Sequence, residues 1–306
     1  MLSAPDVLVL GGGGVLGEAW LMGVLAGIED GADVDLRRCE HFVGTSAGSI
    51  VAAHLAAGQT PRRPDATELA PEAEPRATAP ETAIAAAARR AGRRASRWGA
   101  GAAAPLMPLA MTAVSPAGAI IRAALLRRIP RPAARLDDLR RSVDGSGARF
   151  DGRLRVVAVE RRSGRRVVFG SPLAPAASVG EAVAASCTVP WLFEPVEIGG
   201  REYVDGGVWS PTNLDVAPGA RDTHVLCLNP TSGIQGDHTL VGVARSFSRS
   251  AATAESLVLR RRGAIVRIFG PDDATIGVLG HDFMDPGPRK LVIEAGYRQG
   301  LRIAKG

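Results

Sequence analysis

The chain has 306 residues, 46% of them hydrophobic and only 4% aromatic, which is ample apolar material for the core of a large globular domain. With 37 Lys and Arg against 31 Asp and Glu, the net charge is +6, so anionic partners are favoured. Cys39, Cys187 and Cys227 stand far apart with no CxxC or Cys/His spacing. That pattern argues against a disulfide framework or a zinc finger and matches a reducing cytoplasm.

In chain order, the first element is a short apolar run, Val7–Leu10, with no basic stretch before it. It reads as a core strand, so no secretory signal is expected. Glycines 11 to 14 follow, and residues 18–28 carry Ala19, Met22, Val24, Leu25 and Ile28 at helical spacing. A second strand over 41–43 and a second helix over 49–57 repeat the order. Further on, strands are expected over 153–160 and 165–169, joined by a turn at Ser163 and Gly164, then a helix over 179–187. Strands at 196–198, 202–204, 224–228 and 265–269 and helices at 241–262 and 289–304 complete the pattern. Strands interleaved with helices predict a three-layer α/β/α sandwich around a mainly parallel sheet, with all 306 residues in one domain.

Residues 59–135 depart from that pattern, being dominated by Ala, Pro, Arg and Glu with few residues able to anchor a core. They read as an insertion or cap. Arg89, Arg90, Arg93, Arg94 and Arg97 fall on one face of a helical segment, which suits peripheral contact with an anionic membrane. Residues 98–121 lack any charged side chain, yet Pro105, Pro108 and Pro116 interrupt them, so they are not expected to span a bilayer. Nucleic acid is not an expected partner, because the arginines are not interleaved with aromatic residues.

Three motifs carry chemistry. Gly44, Thr45, Ser46, Ala47 and Gly48 form a GxSxG turn between a strand and a helix. Its glycines allow a sharp turn that exposes Ser46 Oγ at the N-terminus of the next helix, where amide groups favour developing negative charge. Upstream, the backbone amides of Gly12, Gly13 and Gly14 can serve as oxyanion donors, because residues without side chains let the backbone approach a substrate closely. Downstream, Asp205 precedes Gly206 and Gly207 at the end of a strand. A carboxylate there is a candidate base for a serine hydroxyl, the other reading being an ordinary Asp-Gly turn.

Two other readings use fewer of these motifs. The run from Gly12 to Gly17 also satisfies GxGxxG, with Asp33 and Asp35 about 20 residues on, as a dinucleotide site would require; it leaves Ser46 and Asp205 without a role. A serine-histidine hydrolase would draw on His224, His238 or His281, of which His281 between Gly280 and Asp282 is the best placed. Its elbow, however, normally follows several strands rather than one.

Taken in order, the glycine loop, the GTSAG elbow and the Asp205-Gly206-Gly207 triplet resemble the patatin-like phospholipase family. Supporting them are Ala185-Ser186-Cys187-Thr188-Val189-Pro190, residues 193–196, and Tyr203-Val204 leading through the triplet to Ser210-Pro211-Thr212-Asn213. The resemblance covers about residues 5–58 and 150–230. It implies a Ser46/Asp205 dyad without histidine, an acyl-Ser46 intermediate, an oxyanion hole within Gly12 to Gly14, a lipid ester substrate, and no metal or organic cofactor. One departure stands out: the family commonly places Arg or Lys just before the last glycine of the loop, and this chain has Leu16.

Overall fold

The structure, a computed structural model, describes residues 3–64, 116–233, 240–280 and 282–306, with the backbone alone at 116–117 and 240–247. Among them, eight strands form one sheet: β1 (Val7–Leu10), β2 (His41–Thr45), β3 (Leu154–Glu160), β4 (Arg166–Phe169), β5 (Val196–Ile198), β6 (Arg201–Asp205), β7 (His224–Leu228) and β8 (Ile265–Phe269). The order is β5-β6-β3-β2-β1-β7-β8, with β4 paired to β3. Strands β3, β2, β1, β7 and β8 run parallel, whereas β4 and β6 are antiparallel to β3, and β5 to β6. The central strand β1 is apolar throughout and buried along its length, as expected of a parallel strand covered on both faces.

The helices are α1 (Gly14–Ala32), α2 (Ala47–Ala56), α3 (Pro116–Arg128), α4 (Asp137–Gly145), α5 (Val179–Ser186), α6 (Leu240–Arg261), α7 (Asp273–Leu279) and α8 (Arg289–Lys305). Alternate strand residues sort them into two layers. Leu8, Leu10, Phe42, Val156 and Leu228 pack against α1, α2, α4, α5 and α8. Val7, Val9, Val43, Val157 and Val225 face the other way, onto Leu214, Ala217 and Leu259 of α6. On that second face Val159 and Val204 meet Leu126 of α3 and Ile129. The expected three-layer sandwich is what forms.

Two expectations are corrected. Helix α1 starts at Gly14 rather than at residue 18, because the glycines that read as loop supply its first turn. Residues 116–135 do anchor a core: besides Leu126 and Ile129, the buried Arg122 stacks its guanidinium 4.0 Å from the ring centroid of Trp209. An Ala- and Arg-rich helix of this kind carries little hydrophobic signal, since a cation over an aromatic face does part of the work of an apolar side chain. The arginine face at 89–97 and residues 98–115 lie outside the described residues. No helix among the described residues is long and apolar enough to cross a membrane.

One topological detail positions everything that follows. Strand β4 occupies one edge of β3, and on the other edge β2 pairs with the first half of β3 and β6 with the second. Thr45 stands opposite Val157 and Asp205 opposite Ala158. The two strands therefore end head to head along a single edge, one residue step apart.

Candidate active site

Ser46 follows β2 directly and precedes α2, with φ 51 and ψ −125. A non-glycine residue in this sparsely populated region is strained and persists only where the surroundings enforce it. The enforcement is visible on both sides. A Cβ on Gly48 would lie 2.0 Å from the Leu10 carbonyl oxygen, and one on Gly44 would lie 2.4 Å from Ser49 Cα, so strand and helix approach closer than any side chain allows. The Ser46 amide donates to Ser186 Oγ at 2.8 Å, and Ser186 Oγ donates in turn to the Val157 carbonyl at 2.6 Å. The elbow is thereby tied to α5 and to β3.

Asp205 closes β6, with its amide donating to the Thr188 carbonyl at 2.9 Å. Ser46 Oγ donates to Asp205 Oδ2 at 2.7 Å, and the Gly207 amide donates to Asp205 Oδ1 at 2.7 Å. Both side chains are buried, Ser46 at 8% and Asp205 at 5% exposure. Burial pushes the Asp205 carboxyl up to about 6, against the opposing pull of its bonds from Ser46 and Gly207. A carboxylate with two neutral donors and, among the described residues, no cation beside it is a stronger base than an exposed one, and it stays ionised at neutral pH.

In the glycine loop, the Gly11 amide donates to the Leu228 carbonyl and the Gly12 amide to the Pro211 carbonyl, each at 2.9 Å. Gly12 was expected to offer its N–H to an oxyanion, and that hydrogen is already committed. Among the described residues no group accepts from the amides of Gly13 or Gly14, which open α1 and so lack intrahelical acceptors. Gly12 instead lines the site sterically, since a Cβ there would come within 3.1 Å of Ser46 Cβ. Leu16, at the position where the family motif carries a cation, is fully buried in the main core, and its amide donates to the Phe283 carbonyl at 3.0 Å. Apolar packing and a backbone bond anchor the loop in place of a charge.

The acidic residues of the dinucleotide reading do not reach the glycine loop. Asp33 caps the far end of α1, and Asp35 caps a short 3₁₀ turn that precedes β2. Both therefore sit at the N-terminal end of the strands, away from the crevice where a dinucleotide would lie. His224 opens β7 at that same end, while His238 and His281 lie outside the described residues. Since Asp205 bonds Ser46 directly, no imidazole stands between them. A recess of about 590 Å³ lined by Arg166, Leu173, Ile198, Arg201 and Tyr203 contains neither member of the pair.

Ser186 and Asn213 lie in the motifs that carry the family resemblance, with no role assigned to either by the sequence. Ser186 holds the elbow amide; Asn213, buried, sits behind the pair. The only signal for Ser186 is a hydroxyl in a run of small apolar residues, and Asn213, among Ser210, Thr212 and Asp215, carries none.

A family model of patatin-like phospholipases matches residues 8–218, which contain the glycine loop, the elbow and Asp205. The chain belongs to the patatin-like phospholipase family. Lipid acyl hydrolysis is the activity supported at the level of that family. Among solved structures, VipD from Legionella pneumophila is 16% identical with a TM-score of 0.45, the match covering 99% of this chain and 67% of that one. The type III effector protein ExoU is 17% identical with a TM-score of 0.39, covering 98% of this chain and 53% of that one. No curated protein sequence gives a significant match.

Proposed function

We propose that this patatin-like protein is a serine lipid acyl hydrolase of the phospholipase A or esterase type, with Ser46 as nucleophile and Asp205 as general base and acid. The observation that carries the reading is the 2.7 Å bond from Ser46 Oγ to a buried carboxylate whose other oxygen is held by a backbone amide. Asp205 takes the Ser46 proton as Oγ attacks the ester carbonyl carbon, and negative charge forms on the carbonyl oxygen. The amides of Gly13 and Gly14 stabilise that charge, with the N-terminus of α2 beneath. Collapse expels the alcohol, which leaves with the proton from Asp205. Asp205 then deprotonates a water that attacks acyl-Ser46, and release of the fatty acid returns a proton to Ser46.

The substrate in this reading is a lipid carboxylic ester approached from a membrane surface by a cytoplasmic protein. Support for the approach comes from α3, which exposes Ile120 and Ile121 while Arg127 and Arg128 lie exposed on its last turn. Deleting residues 84–121 is expected to lower turnover on anionic liposomes more than on soluble short-chain esters, and equal losses on both would remove the membrane part of the proposal.

The decisive test of the chemistry is an alkyl fluorophosphonate probe followed by a lipid ester panel. Wild type is expected to be labelled and Ser46→Ala not, with hydrolysis lost in the same variant. A folded wild type that neither reacts nor hydrolyses any ester would make the protein a silent lipid-binding member of its family.

A further inference from the structure

We propose that Asn213 is a positioning residue of the dyad: its buried side-chain amide links the residue before Ser46 to the residue after Asp205 and so fixes nucleophile and base relative to each other. The inference rests on the Ser46/Asp205 reading. Asn213 Nδ2 donates to Ser210 O at 2.7 Å, to Thr45 Oγ1 at 3.1 Å and to Gly206 O at 3.3 Å. Its Oδ1 accepts from Arg166 Nη1 at 3.2 Å, and the same guanidinium makes a two-pronged bond to Asp215 at 2.6 and 2.7 Å. Because a guanidinium only donates and carbonyls only accept, the orientation of the amide is unambiguous.

The segment holding Asn213 is itself fixed from outside. Glu255 of α6 accepts from Thr212 Oγ1 at 2.7 Å and from the Leu214 amide at 2.8 Å, on either side of Asn213. Thr45 Oγ1 donates to the Thr212 carbonyl at 3.4 Å, and the Pro211 carbonyl takes the Gly12 amide. One short stretch after the aspartate therefore touches the elbow, the glycine loop and the Asp205 turn. Within it, Asn213 is the residue whose side chain bonds to the neighbours of both reacting groups. Reaction rates depend steeply on such alignment, a misplacement of about 1 Å costing on the order of 100-fold.

Asn213 has φ 49 and ψ 37, the left-handed region that asparagine tolerates and glycine adopts freely. Asn213→Gly therefore keeps the backbone and deletes only the amide, which separates positioning from a mere demand for that φ. Thr45→Val, nearly isosteric, breaks the same link from its other end. Each full-length variant is assayed on a soluble p-nitrophenyl ester and by fluorophosphonate inactivation, per mole of folded protein, with Ser46→Ala as the blank. Asn213→Gly is expected to lose about 10- to 100-fold in kcat with KM within about threefold, and its inactivation rate should fall in parallel. Thr45→Val is expected to lose less, and the double variant to be no slower than Asn213→Gly. A folded Asn213→Gly with kcat within about twofold of wild type overturns the inference. So does an unchanged Thr45→Val, which decides the matter should Asn213→Gly not fold. Absence of Ser46-dependent reaction in wild type, by contrast, removes the dyad and the inference with it.

Discussion

Asp205 and two carboxylates at the opposite end of the sheet are set in contrasting surroundings. At the N-terminal end of the strands, carboxylates are met by arginines: Asp35 by Arg37, Asp30 by Arg63. Their hydrogen bonds from those guanidinium groups hold both carboxyls below the usual range. At the C-terminal end, Asp205 is more deeply buried and, among the described residues, is given only a hydroxyl and an amide, and its carboxyl is pushed up to about 6. The contrast is between partly exposed carboxylates neutralised by guanidinium groups and a buried one that, among the described residues, has no cation beside it. A salt-bridged Asp205 would be a better-solvated ion and a poorer base.

The largest effect expected from this contrast belongs to Asp205→Asn. It keeps the shape of the side chain but removes the base, and turnover is expected to fall by about 1,000-fold or more. Stability should move the other way. The folded carboxyl titrates near 6 and the unfolded one near 3.8, so between those values the folded state holds a proton that the unfolded chain releases. Stability consequently falls as pH rises through that window and levels off above it. The gap of about two pKa units corresponds to about 3 kcal/mol, of which Asp205→Asn is expected to recover a part at pH 8 and little near pH 4. Denaturant melts at the two pH values measure this, and a variant clearly less stable than wild type at pH 8 would show that the carboxylate is held for cohesion after all.

Next in size is the pH dependence of catalysis. Asp205 must be ionised to accept the Ser46 proton, so kcat/KM on a soluble ester should drop below about pH 6, approaching tenfold per unit. An acid limb near pH 4 would place the base elsewhere. The smallest effect is expected from Arg63→Ala at the opposite end. Arg63 is 42% exposed on its bonds to Asp30 and Glu29, so the loss should be under about 1 kcal/mol in a chemical melt. Turnover should not change. A loss of activity there would mean that the two ends are coupled, and the contrast drawn above would fail.

Much of this was readable in the chain before its fold was known. β1 was legible because a central parallel strand is apolar at every position, and α8 because its apolar residues recur at helical spacing. Ser46 and Asp205 were legible because sharp turns beside polar groups demand glycine. What stayed hidden depended on long-range partners. Nothing local distinguishes the Gly12 amide, tied to Pro211, from that of Gly13. Ser186 and Asn213 look like ordinary polar residues until β3 and the elbow are brought to them. α3 was missed because its core contact is made largely by alanines, Leu126 and the aliphatic and cationic parts of Arg122, in a segment whose composition otherwise resembles a linker.

Strand β3 acts as a ruler. Ser46 and Asp205 are 159 positions apart in the chain, yet their separation in space is set by a single step between Val157 and Ala158 on one strand edge. The length of chain running between them does not enter that distance, and closing a longer loop costs only about 0.6 kcal/mol per doubling. One residue added to β3 between Val157 and Ala158 would shift that register and part Ser46 from Asp205, whatever the length of chain between them.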